Sequence, residues 1–350
     1  MKEIDIVVWA SDFSTSRGEG ILANSFFKEF IKFHNNKKII IKTFEQKIIF
    51  VKKNLKNLKI IEKNNFLHKY IGPVYGAIYL LLNRKKKIVY LNYLPLWNFL
   101  IFLILPSKTV LGPITGGAEF LQVNNLNTFL RKYIFPLLYK ISLTIINIKF
   151  KKVIFSTNLL ASYLNNNQKK KFLLNYIYLN FINHKDIKKN KKSFDLIFYN
   201  RKNLTKKNFL IKQLILRLPS EIKICVIGEL ILKDNVKNYG FVDKKKVIKL
   251  IKKSKLAFAS SENILSLFVI DAYNCKTGII FDKNMNNLNT IISKKIFLPV
   301  DLTDLDNGVL EIKNYIINFK FIIDTNFQKF LRSQKQKINI YLKEYFSLYK

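Results

Sequence analysis

Two series of short β-rich runs alternating with helical patterns, separated by a polar stretch without periodicity, constrain this chain more than any other feature. In the first series Ile4 to Trp9 predicts a strand, Ile21 to Phe33 a helix, and Lys38 to Phe44 and Ile88 to Asn92 further strands. Leu96 to Leu105 reads as a helix, Thr109 to Gly112 as a strand, Leu126 to Ile148 as one or two long helices and Val153 to Ser156 as a strand. The pattern then collapses into FINHKDIKKNKKS, from Phe181 to Ser193. A second series follows: strand Phe194 to Tyr199, helix Phe209 to Leu218, strand Lys223 to Ile227, helix Lys244 to Lys253, strand Leu256 to Ala259, helix Leu267 to Asn274 and strand Gly278 to Phe281. Such alternation predicts parallel sheets with helices on both faces. The expected organisation is α/β: a Rossmann-like domain over 1–180, a linker at 181–193, a second Rossmann-like domain over 194–326, and a helix at 327–350 packing back across both.

At 350 residues the chain exceeds the size at which one hydrophobic core usually stops growing, which also favours two domains. Its charge is lopsided: 61 Lys and Arg against 23 Asp and Glu, a formal net charge of +38. Lys, Asn, Ile, Phe and Tyr, all read from A/T-rich codons, crowd the sequence, so base composition accounts for much of this excess. Selection for an anionic partner, such as a nucleotide diphosphate or an anionic membrane surface, would account for the rest. A nucleic-acid partner is disfavoured, because no basic stripe with interleaved aromatics and no reading motif is present. Cys225 and Cys275 have no Cys or His at ligand spacing, which excludes a disulfide framework or zinc site and fits a reducing cytoplasm. The opening MKEIDIVVWAS predicts a first strand and no signal peptide, and the apolar stretch from Leu94 to Leu105 is too short and too interrupted to span a membrane.

The most informative segment runs from Leu256 to Asp282, LAFASSENILSLFVIDAYNCKTGIIFD. A buried strand leads to Ser260 and Ser261, a loop carries Glu262 and Asn263, and a helix starting near Ser266 and Leu267 holds Asp271. Ligands of open α/β sheets sit beyond the carboxyl ends of strands, where helix N-terminal amides favour phosphate. This segment resembles the retaining glycosyltransferases of family 4, which have the GT-B fold. Asp271, Ala272, Cys275 and Thr277 fall on the second Glu, the Ala, the Cys and the Thr of the family's pattern. The departures are Asp271 for Glu, Lys276 for Gly, Gly278 for Pro, and Asn263 at the place of the first Glu, with Glu262 one residue early. The resemblance implies that Asp271 contacts the nucleotide ribose, that Glu262 or Asn263 contacts the donor sugar, and that Ser266 and Leu267 belong to the donor site.

Arg201 follows the first strand of the second series, and Lys206 and Lys207 open the next helix. Cations beside free backbone amides suit a diphosphate whose charge grows as it departs. The family has an Arg and a Lys at this place, so the resemblance assigns Arg201 with Lys206 or Lys207 to the leaving diphosphate. Gly240 and Phe241 fit a family turn beside the donor base or phosphates, although Gly240 equally suits a plain turn.

In the first domain Gly18 and Gly20 bracket Glu19 at a helix start, permitting close backbone approach to a ligand; the resemblance places this loop on the cleft beside the donor phosphates. Thr115, Gly116 and Gly117, in VLGPITGGAEF, are expected on the acceptor side. His34, His68 and His184 show no partner spacing for metal or triad chemistry; His34 and His184 are expected to face solvent. Asp304-Leu305-Asp306 matches a metal-binding Asp-x-Asp on paper but comes too late in the chain, and reads as a polar turn.

The expectation is therefore a GT-B glycosyltransferase with its active site between two tandem Rossmann-like domains. The resemblance implies transfer from a nucleoside-diphosphate sugar, with retention and without metal or other cofactor, to a glycan or lipid-linked acceptor in surface polysaccharide or lipopolysaccharide synthesis. The setting is the cytoplasm, at the inner face of the cell membrane. The rival readings are a nucleotide-sugar epimerase on the same fold and a non-catalytic binding protein whose donor site has decayed.

Overall fold

A computed structural model describes residues 4–11, 18–34, 37–44, 47–50, 71–91, 94–116, 129–173, 176–182, 191–200, 208–259, 264–284, 293 and 295–344. Two compact units emerge. Described residues up to 179, together with 335–344, form the first; those from 180 to 334 form the second.

The first unit is built on β1 (Ile6–Trp9), whose four residues are all buried. It pairs in parallel with β2 (Ile39–Lys42), which carries β3 (Lys47–Phe50) antiparallel at the edge, and on its other side with β4 (Lys87–Tyr90). Next come β5 (Leu94–Pro95), β6 (Val110–Leu111) beside β4, and β7 (Ile114–Thr115) parallel to β5. The main sheet has the order β3-β2-β1-β4-β6. Covered strands of this kind read as unbroken apolar runs because neither face meets water. The helix Gly18–Phe33 buries Phe26, Phe27 and Phe30. Helices Gly72–Leu82, Phe99–Ile104 and Phe135–Lys149 share one apolar layer with Val7, Trp9, Ile88 and Tyr90. Because alternate strand residues point to the same face, these three helices cover a single side of the sheet.

Several boundaries differ from expectation for local reasons. The helix expected from Leu96 starts only at Phe99, because Leu94 and Pro95 pair with β7 and Leu96 N–H donates to Thr115 O; it stops at the residue before Pro106. Strand β3 falls in a run, KIIF, that was too short and too close to Phe44 to be separated from it by periodicity. At Val153 to Ser156 the expected strand amounts to single bridges, Ile114 with Phe155 and Ile154 with Leu173. His34, expected in solvent, is half-buried with its ring 4.5 Å from that of Phe30, and burial holds its pKa below the ordinary value.

In the second unit β8 (Phe194–Asn200), β9 (Ile224–Gly228), β10 (Val236–Asn238), β11 (Ser254–Phe258), β12 (Gly278–Asp282) and β13 (Phe297–Val300) form one sheet in the order β10-β9-β8-β11-β12-β13. Every pairing is parallel. Counted from β8, the order is 3-2-1-4-5-6, the doubly wound arrangement whose strand order reverses between the first and fourth strands. Helices Asn208–Arg217, Lys244–Lys252, Leu267–Asn274 and Leu305–Asn318 complete it. Asp304, expected in a polar turn, caps the last of these by accepting from Asn307 N, and Asp306 pairs with Arg217 at 2.8 Å. The helix Thr325–Glu344 contributes to both units, burying Phe327 and Leu331 in the second and Ile338, Tyr341 and Leu342 in the first.

Candidate functional site

The reversal of strand order puts the carboxyl ends of β8 and β11 side by side, with Phe198 opposite Phe258. From these ends two segments depart, 201–207 and 260–263, so Arg201, Lys206, Lys207, Glu262 and Asn263 lie outside the described residues, as does Gly117. What surrounds them is well defined. The ring centroids of Tyr199, next to last in β8, and Phe268, in the first turn of the helix after β11, are 6.1 Å apart. That contact sets the N-terminus of helix Leu267–Asn274 beside the end of β8. Ser266 caps this helix, its Oγ accepting from Val269 N at 3.3 Å, while the amides of the first turn have no intrahelical acceptor.

Asn200, the last residue of β8, is tied to the end of β9: Glu229 N–H donates to Asn200 O at 3.0 Å and Asn200 Nδ2 donates to Glu229 O at 3.0 Å. Between them Gly228 adopts φ +94°, and a Cβ there would lie 2.0 Å from Asn200 O. Gly228 N–H donates to Gly240 O at 2.8 Å. Gly240 itself has φ +63° with open space on its Cβ side, and Phe241 beside it is exposed.

Three residues further on, Asp243 caps helix Lys244–Lys252 by accepting from Lys246 N at 2.8 Å. Lys244 Nζ reaches Asp271 Oδ1 at 3.5 Å, joining the first turn of that helix to the second turn of the helix after β11. Asp271 is buried; burial raises its pKa and Lys244 opposes the rise. The carboxyl ends of this sheet thus gather two helix N-termini, a cation, a buried carboxylate, an exposed aromatic ring and two glycines at positive φ. Such a crevice can take an anion against the amides and Lys244, with hydroxyl donors toward Asp271.

The other residues of the matched pattern are structural. Ala272 and Cys275 are buried, and burial pushes the Cys275 thiol up to about 11. Thr277 Oγ1 donates to Ile251 O at 3.0 Å. Lys276 sits at φ +56° just past the helix end, where Lys276 N–H donates to Tyr273 O and Thr277 N–H to Ala272 O, the paired bonds that close a helix through a left-handed residue. A Cβ on Gly278 would lie 2.5 Å from the Phe319 ring. Neither departure at 276 or 278 touches the crevice.

In the first unit Gly18 opens the helix after β1 and Gly20 is buried within it. Trp9 Nε1 donates to Ser11 Oγ at 3.0 Å, Ser11 lies 3.4 Å from Tyr90 Oη, and Tyr90 Oη donates to Pro73 O at 3.0 Å. Trp9 can only donate and the carbonyl can only accept, so the Ser11 hydrogen goes to Tyr90. This chain fixes the carboxyl ends of β1 and β4 and the start of helix Gly72–Leu82. Thr115 is half-buried and Gly116 follows it at φ +150°. Among the described residues no group of three or more His, Cys, Asp or Glu side chains is placed to hold a metal ion, and no helix is long and apolar enough to cross a membrane.

Sequence reasoning missed Asn200, Gly228, Lys244 and the Trp9-Ser11-Tyr90 chain. Gly228 carried a signal, a glycine closing the apolar run ICVI; Lys244 was hidden in a row of three lysines, and only the fold selects it.

No family model matches the chain, and no curated protein matches it. Solved structures do. Sucrose-phosphate synthase from Thermosynechococcus elongatus is 10% identical with a TM-score of 0.58, covering 99% of this chain and 97% of that one. The UDP-GlcNAc 2-epimerase of Methanocaldococcus jannaschii, in complex with UDP-GlcNAc and UDP, is 14% identical with a TM-score of 0.53, covering 96% and 98%. A lipopolysaccharide outer core galactosyltransferase in its apo form is 12% identical with a TM-score of 0.53, covering 98% and 97%. At such identities what is shared is the fold, and coverage of both chains from end to end means that it is shared whole. The chain has the GT-B fold, α/β with parallel sheets.

Proposed function

We propose that this chain is a glycosyltransferase that moves a sugar from a nucleoside-diphosphate sugar to a glycan or lipid-linked acceptor with retention of configuration, in surface polysaccharide or lipopolysaccharide synthesis at the inner face of the cell membrane. The observation that carries the reading is the Lys244–Asp271 pair at the carboxyl ends of the second sheet, between two helix N-termini. Asp271, paired with Lys244, accepts the ribose hydroxyls, and Ser266 and Leu267 present the helix terminus to the phosphates. Arg201 with Lys206 or Lys207 neutralises the leaving diphosphate, while Glu262 or Asn263 holds the sugar as its anomeric carbon gains positive charge. No metal or other cofactor enters this scheme.

The structural neighbours include both transferases and an epimerase in complex with UDP-GlcNAc, which supports a nucleotide-sugar site and keeps epimerisation as the second reading. The decayed-site reading loses one of its two supports, since Lys276 belongs to a helix end.

Nucleoside diphosphate release across a panel of nucleotide sugars, with and without acceptor extracts, tests the proposal. Acceptor-dependent release from one donor is expected, with Asp271→Asn weakening donor binding about tenfold through loss of charge-assisted hydrogen bonds. Conversion of a donor to its epimer without acceptor would favour the second reading, and no donor binding in calorimetry would overturn both.

A further inference from the structure

We infer that the outer side of the helical layer formed by Gly72–Leu82, Phe99–Ile104 and Phe135–Lys149 is a docking surface for an anionic lipid bilayer. The helix Phe99–Ile104 packs against both of the others, and all three bury their inner sides in one apolar layer over the first sheet. Their outer sides are apolar as well. Ile71, Tyr75, Ile78 and Leu82 form an exposed stripe at steps of four, three and four residues, which is one face of a helix. Leu100 and Leu103 are exposed on the next helix, and Phe129, Tyr133, Leu137 and Ile141 recur every fourth residue along the third and the turns leading into it. A polar outer face is what a water-facing helix requires.

Charge identifies the occupant. Between Glu62 and Asp186 the sequence has 17 Lys and Arg and a single acidic residue, Glu119, although the whole chain has 23. Codon bias explains abundant lysine everywhere, but not the loss of acids from this segment alone. Arg84, Lys85, Lys108, Arg131, Lys132 and Lys140, on the third helix and in the turns beside these helices, are exposed. By contrast Lys149, whose Nζ donates to Phe102 O and Leu103 O, is committed to closing the helix Phe99–Ile104. Aliphatic and aromatic side chains among cations, with no Asp or Glu among the described residues of this segment, match the boundary between headgroups and acyl chains. A duplex nucleic acid would use the cations but not the apolar stripes.

This surface agrees with a membrane-borne acceptor but does not depend on the donor site, so loss of transferase activity would leave it standing. The full chain should be sedimented with phosphatidylcholine vesicles, with and without phosphatidylglycerol, at low and moderate salt. Binding only to the anionic vesicles is expected. Arg131→Glu with Lys132→Glu should lower the partition coefficient about tenfold or more at low salt. Leu137→Asp with Ile141→Asp should lower the part that resists salt, while Lys320→Glu with Lys329→Glu, on the second unit, should leave binding within about twofold. Milder pairs, Arg131→Gln with Lys132→Gln and Leu137→Ser with Ile141→Ser, should show the same ranking if a charged variant fails to fold. Equal weakening by the second-unit pair, indifference to the apolar variants, or recovery of the chain in the supernatant with both vesicle types would overturn the inference. So would a concentration-dependent dimer that the Leu137 and Ile141 variants dissociate.

Discussion

Gly228 and Gly240 share the left-handed backbone region yet carry different burdens. At Gly228 the space for a side chain is occupied by the carbonyl that ends β8, whereas Gly240 faces open space. Gly240→Ala should therefore cost only the backbone strain of a left-handed residue, about 1 kcal/mol, while Gly228→Ala adds a backbone clash and should cost several times that or prevent folding. Urea unfolding of the two variants would show it; equal midpoints would mean that β8 and β9 are not held together as described. Asp271 offers a test in pH. Its folded pKa lies above its unfolded value, so ionisation of this carboxylate costs stability. That cost is absent at pH below 3.8, grows as pH rises toward the folded value and is complete above it. Asp271→Asn should accordingly be at least as stable as the parent at neutral pH while binding donor less well. Lys244→Met removes the group that opposes the burial effect, so the pH at which donor affinity falls off on acidification should move upward. Calorimetric titration of nucleotide at several pH values measures that shift.

At the level of elements, the helix Leu267–Asn274 was legible because each of its signals lies within a few residues: Ser266 at the cap, an apolar run, and β-forming residues from Gly278 on. Its terminus was legible as a departure but not as a cause. Lys276 stands where the resembling family has Gly, and only the dihedral angle reveals that the position ends a helix. Lys276→Gly should relieve strain that a side chain meets there and raise stability by about 0.5–1 kcal/mol, net of the greater freedom glycine gives the unfolded chain. A thermal midpoint that rises while donor affinity stays constant would confirm that this substitution is structural. Elements set by pairing alone left weaker traces. The two-residue strands β5 and β7 have too few positions to show a period, and β3 differs from its neighbour only in direction. Of the candidate site, the acidic position on the helix could be read from local pattern. Its partner Lys244 could not, because the pair joins positions 27 residues apart through a strand between them.

Across the whole molecule, two alternating series separated by a polar stretch were enough to give the sheet class, since a parallel strand pair needs a crossover and a crossover is long enough to be seen. The division of the last helix between the units was harder to see, for a single amphipathic pattern does not say which core each turn enters. Phe327 packs edge-on to Tyr273 and Phe297 in the second unit, with ring centroids 5.3 Å and 5.5 Å away. Fourteen residues later Tyr341 is buried in the first unit and its hydroxyl donates to Leu111 O at 3.2 Å. Each side chain therefore belongs to the stability of a different sheet. Phe327→Ala should destabilise the second unit by about 3–5 kcal/mol, and Tyr341→Ala, which also strands a carbonyl, should do comparable damage to the first. Native-state hydrogen exchange separates the two effects: Phe327→Ala should lower protection first in β11, β12 and β13, and Tyr341→Ala first in β1, β4 and β6. If either variant lowered protection first in the opposite sheet, the helix would not be divided as its buried residues indicate.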